Sequence, residues 1–234
     1  MYERLHHQRI ALVLAALDAN LLREANCLFG GGTAIALRYG EYRESVDIDF
    51  LVSDLASYRQ LRQLVTGEKG FSGLLKGSSS SIAEIRDLRA DQYGIRTVLQ
   101  VAEQPIKFEI VLEARIALDS PGPNDTVCGV ASLTEFDLAT SKLLANSDRW
   151  GDDSVFSRDV IDLAMMCPSL SLLRRAKAKA EGAYGEAIGR DLGQAIDKLQ
   201  NRRDWLERCM QAMAMRLPKA VLWARIRALR RVLA

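Results

Sequence analysis

The amino-acid sequence predicts an α+β fold, in which a part that mixes helices with a sheet is followed by a helical part. Apolar and polar side chains alternate with the period of a β-strand in three segments, residues 46–52, 94–101 and 105–112. Beyond a loop at 119–130, which is rich in turn-forming residues, the apolar residues recur at helical spacing. We therefore predict two domains, 1–130 and 131–234.

Composition limits the class of protein. The chain has 234 residues, of which 48% are hydrophobic, and a net charge of +2, which is typical of a soluble globular protein. No apolar run approaches membrane-spanning length and the first residues are too polar for a secretion signal, so we expect a cytoplasmic protein without a membrane partner. Four separated cysteines and two adjacent histidines favour neither a disulfide framework nor a zinc site.

The elements that flank the central motif follow from simple patterns. Residues 3–25 are predicted to form one helix, with Leu5 and Leu12 in its apolar stripe and the two histidines, His6 and His7, on its solvated face. Ser53 is predicted to cap a helix that ends near residue 66. The following segment, 67–81, is rich in glycine and serine, which predicts a flexible loop that is either a lid over substrate or a tolerated surface insertion.

The most informative stretch is 28–52, where a glycine turn precedes a strand with two carboxylates. Gly30, Gly31 and Gly32 allow close approach of backbone to a ligand, and Thr33 is predicted to cap a helix whose N–H groups can bind an anion. This turn is not a Walker loop, because no Gly-Lys-Ser/Thr sequence follows it.

In the strand that follows, Asp47 and Asp49 share one face, and Val46 is predicted on the opposite, apolar face. The Cα atoms of the two aspartates would lie about 6.5 Å apart. Their charges repel unless a cation lies between them, and oxygen ligands favour Mg²⁺ or Mn²⁺ over zinc. The pair therefore predicts a site for one or two metal ions beside bound nucleoside triphosphate.

These motifs resemble a known family. GGGTA, followed after a short helix by RESVDIDF, resembles the signature of nucleotidyltransferases with the polymerase-beta type fold, and GGTAIALRYGEYRESVDIDF is similar to the AbiEii/AbiGii toxin family of bacterial abortive-infection and toxin–antitoxin systems. Each motif alone has a simpler interpretation as an ordinary turn or an ordinary edge strand. The resemblance implies a polymerase-beta-like nucleotidyltransferase domain with a mixed sheet, followed by a C-terminal helical domain.

The resemblance also implies a third carboxylate on a neighbouring strand, which helps to bind the metal and activates the incoming hydroxyl. Glu109 is the candidate, because it lies on the polar face of the strand pattern 105–112, together with Lys107. Glu113 is an alternative candidate. Glu109 can also be read as an exposed charge beside Lys107 on a solvated strand face.

Two segments of the second half match the same family, whose patterns there are D-L-x-x-x-K-L-x-A and R-D-x-x-D-L. The matching residues are Asp137, Leu138, Lys142, Leu143 and Ala145 in the first pattern, and Arg158, Asp159, Asp162 and Leu163 in the second. Lys142 could bind nucleotide phosphates as a point charge, and Asp159 could orient the lysine or Arg149. The alternative is a salt-bridge network between two helices.

The C-terminal third is basic and carries two tryptophans. Its arginines could follow RNA phosphates, and Trp205 and Trp223 could stack on bases. Arginine stems also cover helical surfaces and tryptophan is commonly a core residue, so a structural role is the alternative.

Together these observations predict a Mg²⁺- or Mn²⁺-dependent nucleotidyltransferase. It would transfer a nucleoside monophosphate from a nucleoside triphosphate to an RNA hydroxyl, with the 3′ end of tRNA as the candidate acceptor, and the family resemblance implies a toxin that a nearby-encoded antitoxin counters. Alternatives are transfer to a protein or small molecule, or nucleotide binding without turnover. The predicted catalytic and metal-binding residues are Asp47, Asp49 and Glu109; the predicted nucleotide-binding residues are Gly31, Gly32, Thr33, Ser45, Lys142 and Asp159.

Overall fold

A computed structural model of the protein describes residues 2–77 and 82–233. The chain forms two compact units: unit 1 is Met1–Arg38 with Ser45–Thr134, and unit 2 is Tyr39–Glu44 with Glu135–Ala234. Unit 1 contains a mixed sheet and unit 2 is helical, which confirms the predicted α+β class. The domain limits at residue 130 stay a prediction. No helix in the described ranges is long and apolar enough to cross a membrane.

The N-terminal segment forms two helices where the sequence predicted one. They are α1 (Leu5–Ala16) and α2 (Ala19–Glu24), and the break lies at Asp18, whose side chain accepts hydrogen bonds from the N–H groups of Asn20 and Leu21 in α2. The predicted apolar stripe is wrong at Leu5 and Leu12, which are 60% and 58% exposed. Asp18, which lies inside the apolar pattern, therefore caps the start of the second helix.

Five strands form the sheet of unit 1. In sheet order they are β1 (Leu28–Gly30), β2 (Ile48–Val52), β5 (Gln104–Leu112), β4 (Gly94–Val101) and β3 (Ile82–Ala90). Of these neighbouring strand pairs, β2 and β5 run parallel and the others antiparallel. The mixed sheet confirms the prediction, and the predicted strand segments 94–101 and 105–112 form the antiparallel neighbours β4 and β5. Strand β3 was missed because its side chains are exposed or half-buried throughout and show no alternation. A separate two-stranded ribbon comprises β6 (Thr126–Val127) and β7 (Val130–Ala131).

One face of the sheet carries the core of unit 1. The rings of Phe50 and Phe108 have centroids 5.7 Å apart, and Phe71 packs edge-on against Phe108 at 5.0 Å. Val46, predicted on this face, is instead 49% exposed, because β2 begins only at residue 48.

Part of the predicted flexible loop at 67–81 is ordered. A 3₁₀ turn, Gly70–Leu74, places Phe71 and Leu74 in the core of unit 1. The sequence did not predict the burial of these two apolar residues, because glycine and serine dominate the segment. The last four residues of the predicted loop, 78–81, lie outside the described residues.

Two helices of unit 1 adjoin strand β2, and both begin differently from the prediction. Helix α3 (Gly31–Arg38) starts two residues before Thr33, which is therefore inside the first turn and does not cap it. Helix α4 (Leu55–Thr66) is capped by Asp54, whose carboxylate accepts from the Ser57 N–H at 2.6 Å. The Ser53 hydroxyl, predicted as the cap, accepts from Leu118 N–H.

Unit 2 contains six α-helices among the described residues. They are α5 (Glu135–Arg149), α6 (Arg158–Met165), α7 (Leu170–Tyr184), α8 (Ala187–Asn201), α9 (Trp205–Ala212) and α10 (Lys219–Leu229). Gly193 lies inside α8. Trp205 is 1% exposed, and its ring N–H donates to the Ser157 hydroxyl at 3.0 Å. This tryptophan is a core residue, so its predicted stacking on RNA bases is wrong.

Candidate active site

The polar face of the sheet gathers the acidic residues that the sequence singled out. Asp49 on β2 pairs in register with Glu109 on the parallel strand β5. Asp47 lies two residues before Asp49, directly outside the first residue of β2, and Lys107 lies two residues before Glu109. Side chains two residues apart on a strand share a face, so these four charges form one group. We call this group the acidic face.

The glycine turn packs directly against the acidic face. Gly31 has φ of +67°, a left-handed conformation that disfavours side chains, and a Cβ atom there would lie 2.5 Å from Asp49 Oδ2. A side chain at position 31, the first residue of α3, would therefore collide with this carboxylate. Gly32, the second residue of α3, is half-buried. N–H groups of a first helical turn have no intrahelical partner and are available to an anion.

Thr33 and Ser45 lie just behind the turn and fix the chain that leads into Asp47. The Thr33 hydroxyl donates to the Asp47 carbonyl oxygen at 2.5 Å and lies 2.8 Å from the Ser45 hydroxyl oxygen. Thr33 is 1% exposed, whereas Ser45 is half-buried. The Thr33 hydroxyl thus has protein partners already, and Ser45 is the more accessible of the two.

Both histidines contact the same segment, and the prediction of a solvated helix face is wrong for His7. His7 is fully buried, and its Nε2 accepts from the Ser45 N–H at 3.1 Å. Nε2 of His6 lies 3.0 Å from the carbonyl oxygen of Val46. Sequence reasoning missed these residues because their partners are 38 and 40 positions away, and no local pattern reports such contacts.

Glu109 is held by two cations. Its Oε1 accepts from Arg96 Nε at 2.5 Å, and its Oε2 lies 2.8 Å from Lys107 Nζ. Burial alone would raise the pKa of Glu109, but the hydrogen bonds from Lys107 and Arg96 and their charges outweigh burial and hold the pKa below its ordinary value. Glu109 is therefore ionised at neutral pH.

The register of β2 with β5 distinguishes Glu109 from Glu113, the alternative candidate for the third carboxylate. Glu113 follows the end of β5, is 3% exposed, and binds Arg115 through both carboxylate oxygens at 2.9 and 2.7 Å. Its position is four residues beyond the one that pairs with Asp49. The sheet therefore places Glu109, and not Glu113, next to the two aspartates.

The acidic face offers the donor type that a divalent cation binds. Carboxylate oxygens are the ligands that Mg²⁺ and Mn²⁺ prefer, and Gly31 leaves room for backbone only beside Asp49. Within residues 2–77 and 82–233, no three Asp, Glu, His or Cys side chains already surround one point. Binding of a metal would therefore require side-chain rotation at the acidic face.

In unit 2 the predicted family residues form a buried ionic network. Asp162, which is fully buried, accepts from Arg43 Nε at 2.6 Å, from the Tyr42 hydroxyl at 2.6 Å, and lies 2.7 Å from Lys142 Nζ. Lys142 also donates to Asp159 at 2.9 Å. Arg43 and Tyr42 were not predicted as participants, because about 120 residues separate them from Asp162.

Arg149 completes this network through Asp159. Its guanidinium binds both carboxylate oxygens of Asp159, at 2.7 and 3.0 Å. Burial would raise the pKa of Asp159, but Lys142 and Arg149 outweigh it and lower the pKa. For Asp162 burial is likewise outweighed, by Arg43 and Lys142, so its pKa is also lowered.

The network joins three cations to the carboxylates of Asp159 and Asp162, and the charge of Asp148 also acts on Arg149. On α5, Lys142, Asn146 and Arg149 follow one another at spacings that share a helix face. Asn146 is 3% exposed, and its Nδ2 has no hydrogen-bond partner among the described residues; the Ser141 hydroxyl is buried without a partner there too. The salt-bridge alternative from the sequence describes what the structure contains, and phosphate binding by Lys142 stays a prediction.

Comparison with known proteins adds a family assignment. A family model described as "Nucleotidyl transferase AbiEii toxin, Type IV TA system" matches residues 13–230. A solved structure described as a "putative nucleotidyltransferase from H. pylori" is 16% identical, with a TM-score of 0.49 over 98% of this chain and 95% of that chain. A comparison with curated proteins found no match.

The sheet, the glycine turn and the family match together define a nucleotidyltransferase. The chain belongs to the AbiEii toxin family of type IV toxin–antitoxin systems. This confirms the predicted family, the enzyme class and the fold. Membership implies a nucleotide substrate and a cognate antitoxin, and the superfamily generally uses divalent metal ions.

Proposed function

We propose that this enzyme transfers a nucleoside monophosphate from a nucleoside triphosphate to a hydroxyl of RNA. The acceptor oxygen forms a bond to the α-phosphorus, the bond to the β-phosphate oxygen breaks, pyrophosphate leaves, and the hydroxyl proton passes to a base. The observation that carries the proposal is the close packing of Gly31 backbone against Asp49, because it sets phosphate-binding N–H groups beside a carboxylate cluster.

Asp47, Asp49 and Glu109 are the proposed ligands of Mg²⁺ or Mn²⁺. A bound divalent cation would supply neutralisation of phosphate charge and orientation of the triphosphate. Glu109 also assists the incoming hydroxyl, as an anion at neutral pH that can accept a hydrogen bond from it. Gly31 and Gly32 offer N–H groups to the triphosphate. Thr33 fixes the strand entry, and Ser45 offers its hydroxyl.

Unit 2 is proposed to bind phosphate charge through Lys142. The unpartnered Nδ2 donor of Asn146 in the described part of the chain, on the α5 face that carries Lys142 and Arg149, supports an anionic ligand there. Asp159 then orients Lys142 and Arg149 by binding both.

The proposed acceptor is RNA, with the 3′ end of tRNA as the first candidate. Support comes from the family and from the arginines of the C-terminal helices, such as Arg203, whose side chain is 95% exposed. Type IV membership supports a toxic activity that the antitoxin counters.

The test is transfer from each α-labelled nucleoside triphosphate, with Mg²⁺, to total tRNA in parallel with no RNA. We expect label on tRNA with the wild-type protein and none with Asp47→Asn. Asp87→Asn is the matched control, because Asp87 is an exposed carboxylate on β3 of the same sheet, and it should label tRNA like the wild type.

Other outcomes contradict specific parts of the proposal. Label only on the protein or on a small molecule would replace the RNA acceptor. Undiminished labelling by Asp47→Asn would remove the metal assignment. Nucleotide binding without pyrophosphate release would contradict turnover under the assay conditions and favour a regulatory role.

A further inference from the structure

The acidic face contains a cation of its own. Lys107 Nζ lies 2.8 Å from Glu109 Oε2, and the side chain is 49% exposed. The register of β2 with β5 pairs residue 48 with 108 and 49 with 109, and Asp47 and Lys107 each directly precede the first of these pairs. The hydrogen bond to Glu109, together with the charges of Glu109, Asp47 and Asp49, raises the pKa of Lys107 against the opposing effect of burial.

Arg96 differs from Lys107 in its position. It binds the other carboxylate oxygen of Glu109, Oε1, and also reaches Asp91 at 3.2 Å. Carboxylates that are direct neighbours on adjacent strands repel each other. Lys107 offsets this repulsion at Glu109, and the charges of both aspartates also act on it.

We propose that Lys107 is a positioning residue that acts as a tethered counter-cation and competes with the divalent ion for the acidic face. This inference rests on the proposed function, which assigns the metal to Asp47, Asp49 and Glu109. In the nucleotide-free protein the ammonium occupies carboxylate oxygens that a metal needs. A divalent ion must displace it, so the metal alone binds weakly.

Nucleotide changes this competition. A displaced ammonium remains on its flexible stem beside the site, where triphosphate oxygens offer it a new anionic partner. The cost of displacing Lys107 is then offset only when metal and nucleotide arrive together. Lys107 therefore couples metal binding to nucleotide binding.

The test measures Mn²⁺ binding to the full-length, nucleotide-free protein by the electron paramagnetic resonance signal of free Mn²⁺. Lys107→Met should bind Mn²⁺ about five- to tenfold more tightly than the wild type, because one competing charge within about 4 Å is gone. Lys107→Arg keeps the charge and should remain within about twofold. Lys69→Met, an exposed lysine elsewhere in unit 1, controls for net charge and should also remain within about twofold.

A second measurement repeats the titration with a non-hydrolysable nucleoside triphosphate. In the wild type nucleotide should tighten Mn²⁺ binding more than it does in Lys107→Met. Lys107→Gln serves as a second neutral variant, so the result does not depend on the folding of one protein, and thermal unfolding verifies each variant.

The outcomes separate this inference from the proposed function. Unchanged Mn²⁺ affinity in both neutral variants, with binding abolished by Asp47→Asn, would overturn the role of Lys107 and leave the metal site intact. Tighter binding in Lys69→Met as well would overturn it in favour of net charge. Failure of the wild type to bind Mn²⁺ with or without nucleotide would overturn the metal assignment and the inference with it.

Discussion

Among single residues, Gly31 is constrained twice, by its backbone conformation and by its neighbour Asp49. Gly40 provides a comparison, because it has φ of +82°, but a Cβ atom there would meet no atom of the described chain within 4 Å. Alanine at Gly40 should cost about 1–2 kcal/mol of unfolding free energy, from the left-handed backbone alone. Alanine at Gly31 should cost more and should also weaken Mn²⁺ binding, since its Cβ displaces Asp49.

Chemical denaturation and Mn²⁺ titration of Gly31→Ala and Gly40→Ala measure these two effects. Equal stability losses, with Mn²⁺ binding retained in both variants, would show that contact with Asp49 does not explain the glycine.

The buried carboxylate of Asp162 should be far more sensitive to substitution than an exposed one. Asp162→Asn leaves Arg43 without its anionic partner in a buried network, which should lower the unfolding free energy by about 3–5 kcal/mol. Asp153, about half exposed and paired with Lys198 and Arg202, is the control, and its change to Asn should cost no more than about 1 kcal/mol. Similar losses measured by urea unfolding would refute the importance of burial.

Sequence patterns located residues that depend on local spacing and missed those that depend on distant contacts. Alternation placed Asp47 with Asp49, the family resemblance placed Glu109 on a neighbouring strand, and the register pairs Asp49 with Glu109. Their roles stay predictions. His7 and Arg43 were missed, because a buried histidine that accepts one hydrogen bond, or an arginine in a loop, has no signature at the level of sequence.

At the scale of secondary structure, strong periodicity predicted which segments are strands or helices, but it did not predict the residues at which helices begin. The β4–β5 hairpin and the helices α5 and α6 followed from alternation and from helical spacing. Strand β3 was missed since neither of its faces is consistently buried. Capping was misassigned because several polar residues precede each helix, and only the fold decides which side chain, such as Asp54, reaches the free N–H.

Helix α1 should control the order of the chain that enters β2. His7→Phe removes the acceptor of the Ser45 N–H, which should cost about 1–3 kcal/mol and speed amide hydrogen exchange at 45–49. His6→Ala, at a less buried position on the same helix, is the control and should have a smaller effect. Unchanged exchange at 45–49 in His7→Phe would contradict a supporting role for α1.

The helix pair α5 and α6 should give the protein a characteristic acid response. The folded-state pKa values of Asp159 and Asp162 are lowered from 3.8, so the unfolded chain takes up protons first as pH falls. The stability they contribute is thus fully present above that value and is lost as pH drops through the lower folded-state pKa. In urea unfolding, the difference between wild type and Asp162→Asn should shrink below about pH 4. A difference independent of pH down to about 3 would contradict this.

At the scale of the whole molecule, two arginines close in sequence belong to different units. Arg38 binds Asp125 at 3.1 Å and the Leu133 carbonyl oxygen at 2.9 Å in unit 1, whereas Arg43 binds Asp162 in unit 2. Arg43→Ala should therefore accelerate amide exchange in α6 and leave β2 unchanged. Arg38→Ala should act on the β6–β7 region of unit 1 and leave α6 unchanged. The same exchange pattern in both variants would contradict the division.

The sequence predicted the class and family of the whole chain because GGGTA and VDID lie close together in a recognisable order. It placed 39–44 within the first domain because the segment is continuous with the residues around it. Its membership in unit 2 depends on Tyr42 and Arg43 meeting Asp162, a contact between residues far apart in sequence.

The segment Tyr39–Glu44 restricts how such a gene can be rearranged. A single crossover near residue 134 would join foreign C-terminal helices to a native segment that carries Arg43 and Tyr42. The aspartate that replaces Asp162 would come from one parent, whereas the tyrosine and arginine that bind it would come from the other. Chimaeras between family members should therefore be viable mainly when this short segment and the C-terminal helices come from the same parent, which requires three crossovers instead of one.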